Sequence, residues 1–181
     1  MRTDVHQRLT KMILSAMFLA IALILPFLTG QIREIGNQLC PMHIPVLLCG
    51  FFCGPWYGLT VGFIAPLLRF LCFGMPVIIP AGIAMSFELA TYGLISGLLY
   101  RLLPKKKIYI WIALIVAMIA GRIVWGLVRW LLFGLAGSAF SWQAFVSGAF
   151  LNAIPGIILQ LVLIPILVLT VERIIHTSNH T

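Results

Sequence analysis

The chain has 181 residues, of which 62% are hydrophobic and 9% are charged, and its mean hydropathy is +1.12. Soluble domains contain about 45–50% apolar and about 25% charged residues, so this composition excludes a soluble enzyme and indicates an integral membrane protein. The formal net charge of +8 fits the lysines and arginines that orient membrane proteins from short cytoplasmic loops better than it fits nucleic-acid binding.

Six apolar segments follow one another along the chain. They cover residues 9–29, 41–54, 56–74, 80–102, 108–134 and 143–171. A membrane crossing takes about 20 apolar residues, so the pattern predicts an all-α membrane protein with a bundle of six transmembrane helices. No stretch between the segments is long or polar enough to be a linker, which predicts a single domain over residues 1–181.

Basic residues cluster at three places beside these segments, and with six spans all three places lie on the same side. The positive-inside rule makes that side cytoplasmic, so both termini are predicted to be cytoplasmic. The clusters are Arg2, Arg8 and Lys11 at the start, Arg101, Lys105, Lys106 and Lys107 after the fourth segment, and Arg173 after the sixth.

Small residues recur at four-residue spacing, a pattern that lets helix backbones approach closely in lipid. Most such faces seal a protein's own bundle, whereas others dock a further subunit. The four cysteines lack a zinc-type spacing and are interpreted as packing residues. The small residues are Ala16 and Ala20 in the first segment, Gly50, Gly54, Gly58 and Gly62 in the second and third, and Gly93 and Gly97 in the fourth.

The first four segments contribute four candidate polar side chains. His43 opens the second segment, at the predicted outer mouth, and either satisfies loop hydrogen bonds or contacts a ligand. Arg69 lies in the outer half of the third segment. Glu88 and Tyr92 lie in the fourth, and Glu88 is the only carboxylate inside a predicted span.

The fifth segment carries two arginines although it is almost entirely apolar. Arg122 is expected near mid-depth, and Arg129 about 10 Å further out at about 1.5 Å per residue. Their seven-residue spacing puts them on nearly the same helix face, with Trp125 between them. In the sixth segment, Asn152 and, deeper, Gln160 are either ligand contacts or interhelical hydrogen-bonding residues.

The charge count favours an anionic ligand. Arg122 pairs either with Glu88 or with a ligand, since a buried charge is tolerated mainly when it is neutralised. Arg129 either binds a ligand or reaches the outer headgroups. Together with Arg69, three arginines face one glutamate, and a bound carboxylate or phosphate would supply a missing partner. We therefore predict a substrate site with residues His43, Arg69, Glu88, Tyr92, Arg122, Trp125, Arg129 and Asn152.

The sequence lacks the groups that intramembrane catalysis needs. With one acid inside the spans there is no carboxylate dyad, and there is no histidine cluster, HExxH motif or phosphate-binding GxxxxGK[ST] loop. The chain is therefore predicted not to be an enzyme and to bind no metal and no cofactor.

Several stretches resemble the substrate-binding S components of energy-coupling factor (ECF) vitamin transporters. They are PMHIPVLL at the start of the second segment, PLLR followed by FGMP, FELATYG in the fourth segment and GRIVWG in the fifth. The strongest likeness covers residues 39–106, while the length and the six segments match over the whole chain.

The resemblance implies a vitamin-binding subunit, multi-pass in the bacterial plasma membrane, that has no energy source of its own. Its partners would be a transmembrane coupling subunit and two cytoplasmic ATPases, which use the ATP. Ala16 and Ala20 match the family's alanine motif that packs on the coupling subunit, and residues 73–82 correspond to its gating loop over the site.

The vitamin itself stays open at this point. The uncompensated arginines favour pantothenate, which is an anion, whereas pyridoxine or hydroxymethylpyrimidine would use Trp125, Tyr92 and Asn152 and leave the arginines structural. Two other functions are considered: a self-sufficient secondary carrier of a small organic anion, and a purely structural membrane scaffold.

Overall fold

A computed structural model describes residues 2–29, 39–104, 106–137, 141–149 and 153–178. Within these residues all regular secondary structure is helical, which confirms the all-α prediction. The α-helices are α1 (Arg2–Ile24), α2 (His43–Cys53), α3 (Pro55–Phe73), α4 (Ile83–Leu102), α5 (Lys107–Leu135), α6 (Trp142–Ala149) and α7 (Ile154–Ser178). A 3₁₀ turn at Leu25–Thr29 extends α1, and a π turn at Ile78–Gly82 precedes α4.

Five stretches of the described residues are long and apolar enough to cross a membrane: Val5–Leu28, Pro55–Phe73, Ile78–Leu102, Lys107–Leu135 and Ile154–Ile174. The segment predicted at 41–54 forms the eleven-residue helix α2, whose side chains are nearly all buried. At about 1.5 Å per residue α2 spans roughly 16 Å, about half of a hydrocarbon core. The number of six spans therefore stays a prediction.

Glycine and proline set the ends of the two central helices. Gly54 ends α2 with a φ of 106°, and Pro55 begins α3, where its missing N–H costs nothing. Gly74 ends α3 in the left-handed conformation, with a φ of 71°, and its N–H donates to the carbonyl oxygen of Phe70 at 2.7 Å. The third segment, predicted at 56–74, is confirmed within one residue at each end.

The segment predicted at 143–171 is described only in part, since residues 150–152 lie outside the described residues. It contributes α6 and α7, which lie on either side of residues 150–152, and Pro155 sits in the first turn of α7. Proline is well tolerated there because the first N–H groups of a helix have no intrahelical acceptor.

Helices α2, α3 and α4 touch backbone to backbone through glycine. A methyl group at Gly58 would lie 2.5 Å from the carbonyl oxygen of Gly93, and one at Gly97 would lie 2.6 Å from the nitrogen of Pro55. Contacts this short leave no room for a side chain. These glycines seal the protein's own bundle, as the first of the two interpretations of small-residue spacing expected.

The three basic clusters meet at one end of the bundle. Arg8 and Lys11 line one cavity there together with Arg101. Lys106, Lys107 and Arg173 line a second cavity together with Tyr100, which precedes Arg101 in α4. We call this end of the molecule the basic end; that it faces the cytoplasm remains a prediction of the positive-inside rule.

Candidate functional site

Three buried polar side chains surround the carboxylate of Glu88. Oε1 of Glu88 lies 3.1 Å from Nη1 of Arg122 and 3.4 Å from Nε2 of His43. It also accepts a hydrogen bond of 3.2 Å from the hydroxyl of Tyr92. We call His43, Glu88, Tyr92 and Arg122 the Glu88 cluster. The structure thus brings together four of the eight side chains that the sequence predicts for the substrate site.

Local sequence explains why these side chains meet. Glu88 and Tyr92 are four residues apart in α4 and therefore share one helix face. Gly121 of α5 packs directly against the ring of Tyr92, so that a methyl group at this position would collide with it. The missing side chain lets α5 approach α4 closely, and the next residue, Arg122, reaches Glu88.

His43 is a buried helical residue, and its position at the outer mouth stays a prediction. It is the first residue of α2, its backbone N–H donates to the carbonyl oxygen of Cys40 at 3.0 Å, and it is 2% exposed. Its ring lies edge-on against Tyr92, with ring centroids 5.2 Å apart. His43 is therefore part of the buried cluster and not a loop residue.

Two further residues belong to the site although they were not among the predicted site residues. The Sγ atom of Cys40 lies 3.7 Å from Nη2 of Arg122, and the carbonyl oxygen of Cys40 accepts a hydrogen bond of 3.5 Å from Nε2 of Gln160. Cys40 has a φ of 47°, which is uncommon for a residue with a side chain. A cysteine among apolar residues gave no signal, whereas the sequence left Gln160 as either a ligand contact or a hydrogen-bonding residue between helices.

The cluster contains polar atoms with unused hydrogen-bonding capacity. Within the described part of the chain, Nδ1 of His43, Nε of Arg122 and Oε1 of Gln160 are buried and have no hydrogen-bond partner. Buried polar groups in native proteins nearly always bond to protein, water or ligand. These three atoms can therefore serve a polar small molecule.

The formal charges inside the cluster balance. The carboxylate of Glu88 matches the guanidinium of Arg122, so the ion pair that the sequence left as one of two alternatives is present. Such a pair is tolerable in a low-dielectric interior because each charge neutralises the other.

An aromatic patch carries a second arginine further along α5. The guanidinium carbon of Arg129 lies 4.9 Å from the centroid of the Trp125 ring and 5.6 Å from that of Phe133. The Trp125 ring in turn lies 6.4 Å from that of Phe145 in α6. Gly126 packs against the ring of Phe145, which brings α6 next to α5. Trp125, Arg129, Phe133 and Phe145 form what we call the Trp125 patch.

Arg69 lies outside both groups. It is 5% exposed, one of its guanidinium nitrogens donates to the carbonyl oxygen of Leu23, and its guanidinium carbon lies 5.0 Å from the ring centroid of Phe27 and 5.5 Å from that of Phe73. These contacts tie α3 to the end of α1. Asn152, the remaining predicted site residue, lies outside the described residues.

A cavity reaches Arg122 from between α5 and α7. Its volume is about 160 Å³, and its other walls are Ile115, Met118, Ile119, Ile157 and Leu161. Ligand pockets commonly have volumes of about 300–1,000 Å³, so this space is smaller than a typical vitamin site. Of the described residues, no group of three or more His, Cys, Asp or Glu side chains could hold a metal ion.

The alanines predicted to contact a coupling subunit lie on the outside of the bundle. Ala16 and Ala20 are both exposed, and so are the neighbouring Met12, Ile13 and Met17. Only 11% of the most apolar window of this span is buried, against 50% for the span at Lys107–Leu135. This face of α1 is therefore available to lipid or to another protein.

A family model described as ECF transporter, substrate-specific component matches residues 10–168, which is most of the chain. The chain therefore belongs to the family of substrate-specific components of ECF transporters, as its sequence motifs indicated. No curated protein and no solved structure matches the chain significantly. The family consists of transporter subunits and not of enzymes, and it implies a small-molecule substrate and association with the components of an ECF transport module.

Proposed function

We propose that this substrate-specific component captures a small water-soluble vitamin with a carboxylate, pantothenate being the first candidate, and hands it to an ATP-driven importer in a bacterial cell membrane. The observation that carries the proposal is the Glu88 cluster. It is a buried ionic site in a family of substrate-specific subunits, and some of its polar atoms have no partner in the described residues.

The charge distribution supports an anionic substrate. Glu88 and Arg122 neutralise each other, and Arg129 adds one further positive charge on the same helix, two turns away. Arg69 has its own contacts near α1, so it adds no charge to the site. The guanidinium of Arg129 can bind a carboxylate through two of its N–H groups.

The Trp125 patch is the second part of the proposed site. Trp125 offers a flat apolar surface, and Arg129 lies over its ring, so a ligand that packs on the indole can place its carboxylate beside the guanidinium. The polar atoms of the Glu88 cluster can then bond to the hydroxyl and amide groups of pantothenate. Pyridoxine and hydroxymethylpyrimidine, which lack a carboxylate, are the next candidates.

The coupling subunit is proposed to bind the exposed face of α1 around Ala16 and Ala20, where the small side chains permit close helix packing. Two cytoplasmic ATPases would complete the transporter and use the ATP, so no cofactor is required on this chain. Residues 73–82 are proposed to control access to the site, since the π turn in this segment contacts α3, α4 and α5.

The first experiment is a calorimetric titration of the purified chain in detergent with pantothenate, pyridoxine and hydroxymethylpyrimidine in turn. We expect pantothenate to bind tightest and Arg129→Gln to weaken it about 10- to 100-fold, as for the loss of a charge-assisted hydrogen bond. We also expect Arg122→Ala to weaken it more than Arg69→Ala, which is the charge-matched control outside the site.

Two results would contradict the proposal. Tight binding of a neutral vitamin alone would keep the family function and reject the anion site. Uptake of pantothenate into liposomes by this chain alone, without ATPases, would instead show a self-sufficient carrier, a function that the family membership does not favour.

A further inference from the structure

The basic end of the bundle contains a cavity of about 600 Å³ between α1, α3 and α4 that has no part in the proposed vitamin site. It is separate from the Glu88 cluster, and the predicted topology puts it on the other side of the membrane from the vitamin entrance. We call it the Arg101 pocket. It is lined by Gln7, Arg8, Lys11, Trp56, Tyr57 and Arg101.

Among the residues that the structure describes, the lining of the Arg101 pocket is cationic and contains no acid. Arg8, Lys11 and Arg101 give it three positive charges, and its other lining residues are uncharged. The second cavity at the basic end differs, because it contains Glu172, whose carboxylate accepts a hydrogen bond from Tyr100. The Arg101 pocket is therefore the stronger attractor for an anion.

The guanidinium of Arg101 is held in place by residues at the end of α2. Its Nη2 atom donates to the carbonyl oxygen of Cys53 at 3.3 Å, at the end of α2. Its guanidinium packs directly on Gly54, where the φ of 106° and the missing side chain leave room for it. One donor nitrogen is thus used inside the protein, and a backbone carbonyl oxygen fixes the orientation of the guanidinium.

Aromatic and apolar side chains beside the cations indicate a lipid. Trp56 and Tyr57 lie in the first turn of α3, and Trp56 is 72% exposed, as is typical of aromatic residues at the membrane–water interface. Leu9 and Met12 are exposed on α1 next to Arg8 and Lys11. A ligand with an anionic head and apolar chains can therefore use both kinds of surface.

We propose that the Arg101 pocket binds the phosphate of an anionic phospholipid, such as phosphatidylglycerol. Basic pockets between membrane helices on the cytoplasmic side are suited to such headgroups, because arginine and lysine bind phosphate oxygens while the acyl chains stay in the bilayer. Bound lipid of this kind fixes the position of α1 relative to α3 and α4 at the basic end.

The test is native mass spectrometry of the purified full chain in detergent, titrated with phosphatidylglycerol, phosphatidylcholine or inorganic phosphate. The test variant is Arg8→Gln with Lys11→Gln, and the charge-matched control is Lys106→Gln with Lys107→Gln in the other cavity. Each basic residue near an anionic lipid contributes about fivefold to affinity, so we expect about a 30-fold loss of phosphatidylglycerol binding in the test variant and less than a threefold loss in the control.

Several results would overturn the proposal. Equal retention of the two lipids, or equal losses in both double variants, would mean that the pocket has no selective site. Inorganic phosphate that displaces phosphatidylglycerol at comparable concentration would assign the pocket to a free anion. A test variant that retains phosphatidylglycerol but no longer binds the coupling subunit would assign the pocket to a protein partner. Equal thermal unfolding midpoints of the two variants exclude misfolding as the cause of a loss.

Discussion

Replacing Glu88 by glutamine tests whether the Glu88 cluster holds the bundle together. The change keeps the size of the side chain and an oxygen that can accept from Tyr92, but it removes the negative charge 3.1 Å from the guanidinium of Arg122. Arg122 is then a buried cation without a partner charge. The partner variant, Arg122→Gln, leaves the carboxylate unpaired, and the double variant removes both charges.

The expected energies follow from burial. The side chains of Glu88 and Arg122 are 2% and 7% exposed, and breaking such a buried pair from one side costs about 3–5 kcal/mol, because the remaining charge has lost its partner. Removing both charges leaves two neutral polar groups, so the double variant should be within about 2 kcal/mol of the parent. The coupling energy between the two positions should thus be several kcal/mol.

The cysteines of the protein can report its unfolding. Cys40, Cys49 and Cys53 are buried thiols, whereas Cys72 is exposed. A thiol-reactive fluorophore therefore labels Cys72 at once and the other three only as the protein unfolds, and a Cys72→Ser background removes the early signal. Unfolding free energies of the four proteins of the cycle are then compared in one detergent.

The outcome separates two roles of the ion pair. A single variant within 1 kcal/mol of the parent, with no coupling between the positions, would refute the structural role. A stable double variant that no longer binds pantothenate would show that the charges serve the ligand and not only the fold.

Two further predictions concern the helix contacts. Gly58→Ala puts a methyl group 2.5 Å from the carbonyl oxygen of Gly93 and should lower the free energy of unfolding by about 2 kcal/mol. The control is Gly134→Ala, which should not lower it, because among the described residues only its own chain neighbours and helix backbone lie within 4 Å of the added methyl group. Equal effects of the two variants on thermal unfolding would argue against the tight α3–α4 contact. Ala16→Leu and Ala20→Leu should block ATP-dependent vitamin uptake after co-reconstitution with a coupling module. Both variants should change vitamin affinity less than twofold, because the two residues lie on the exposed face of α1. Loss of vitamin binding would count against that interface.

The amino-acid sequence by itself determined the membrane class, the positions of most spans and the ends marked by glycine and proline. It also identified Glu88 as the acid that an intramembrane arginine could pair with. These features are local: hydropathy sums along a stretch, and a helix end depends on the few residues beside it. The segment predicted at 41–54 contains the eleven-residue helix α2, and its burial could not be read from the sequence, because hydropathy alone does not measure burial.

Only the tertiary structure decided which polar side chains share a site. His43 and Arg69 looked alike in the sequence, as single polar residues near the ends of apolar segments, yet His43 joins Glu88 while Arg69 binds the end of α1 between two phenylalanine rings. Cys40 reaches Arg122 across 82 positions of sequence. Such contacts depend on how helices rotate and approach one another, and that is set by packing among all of them together.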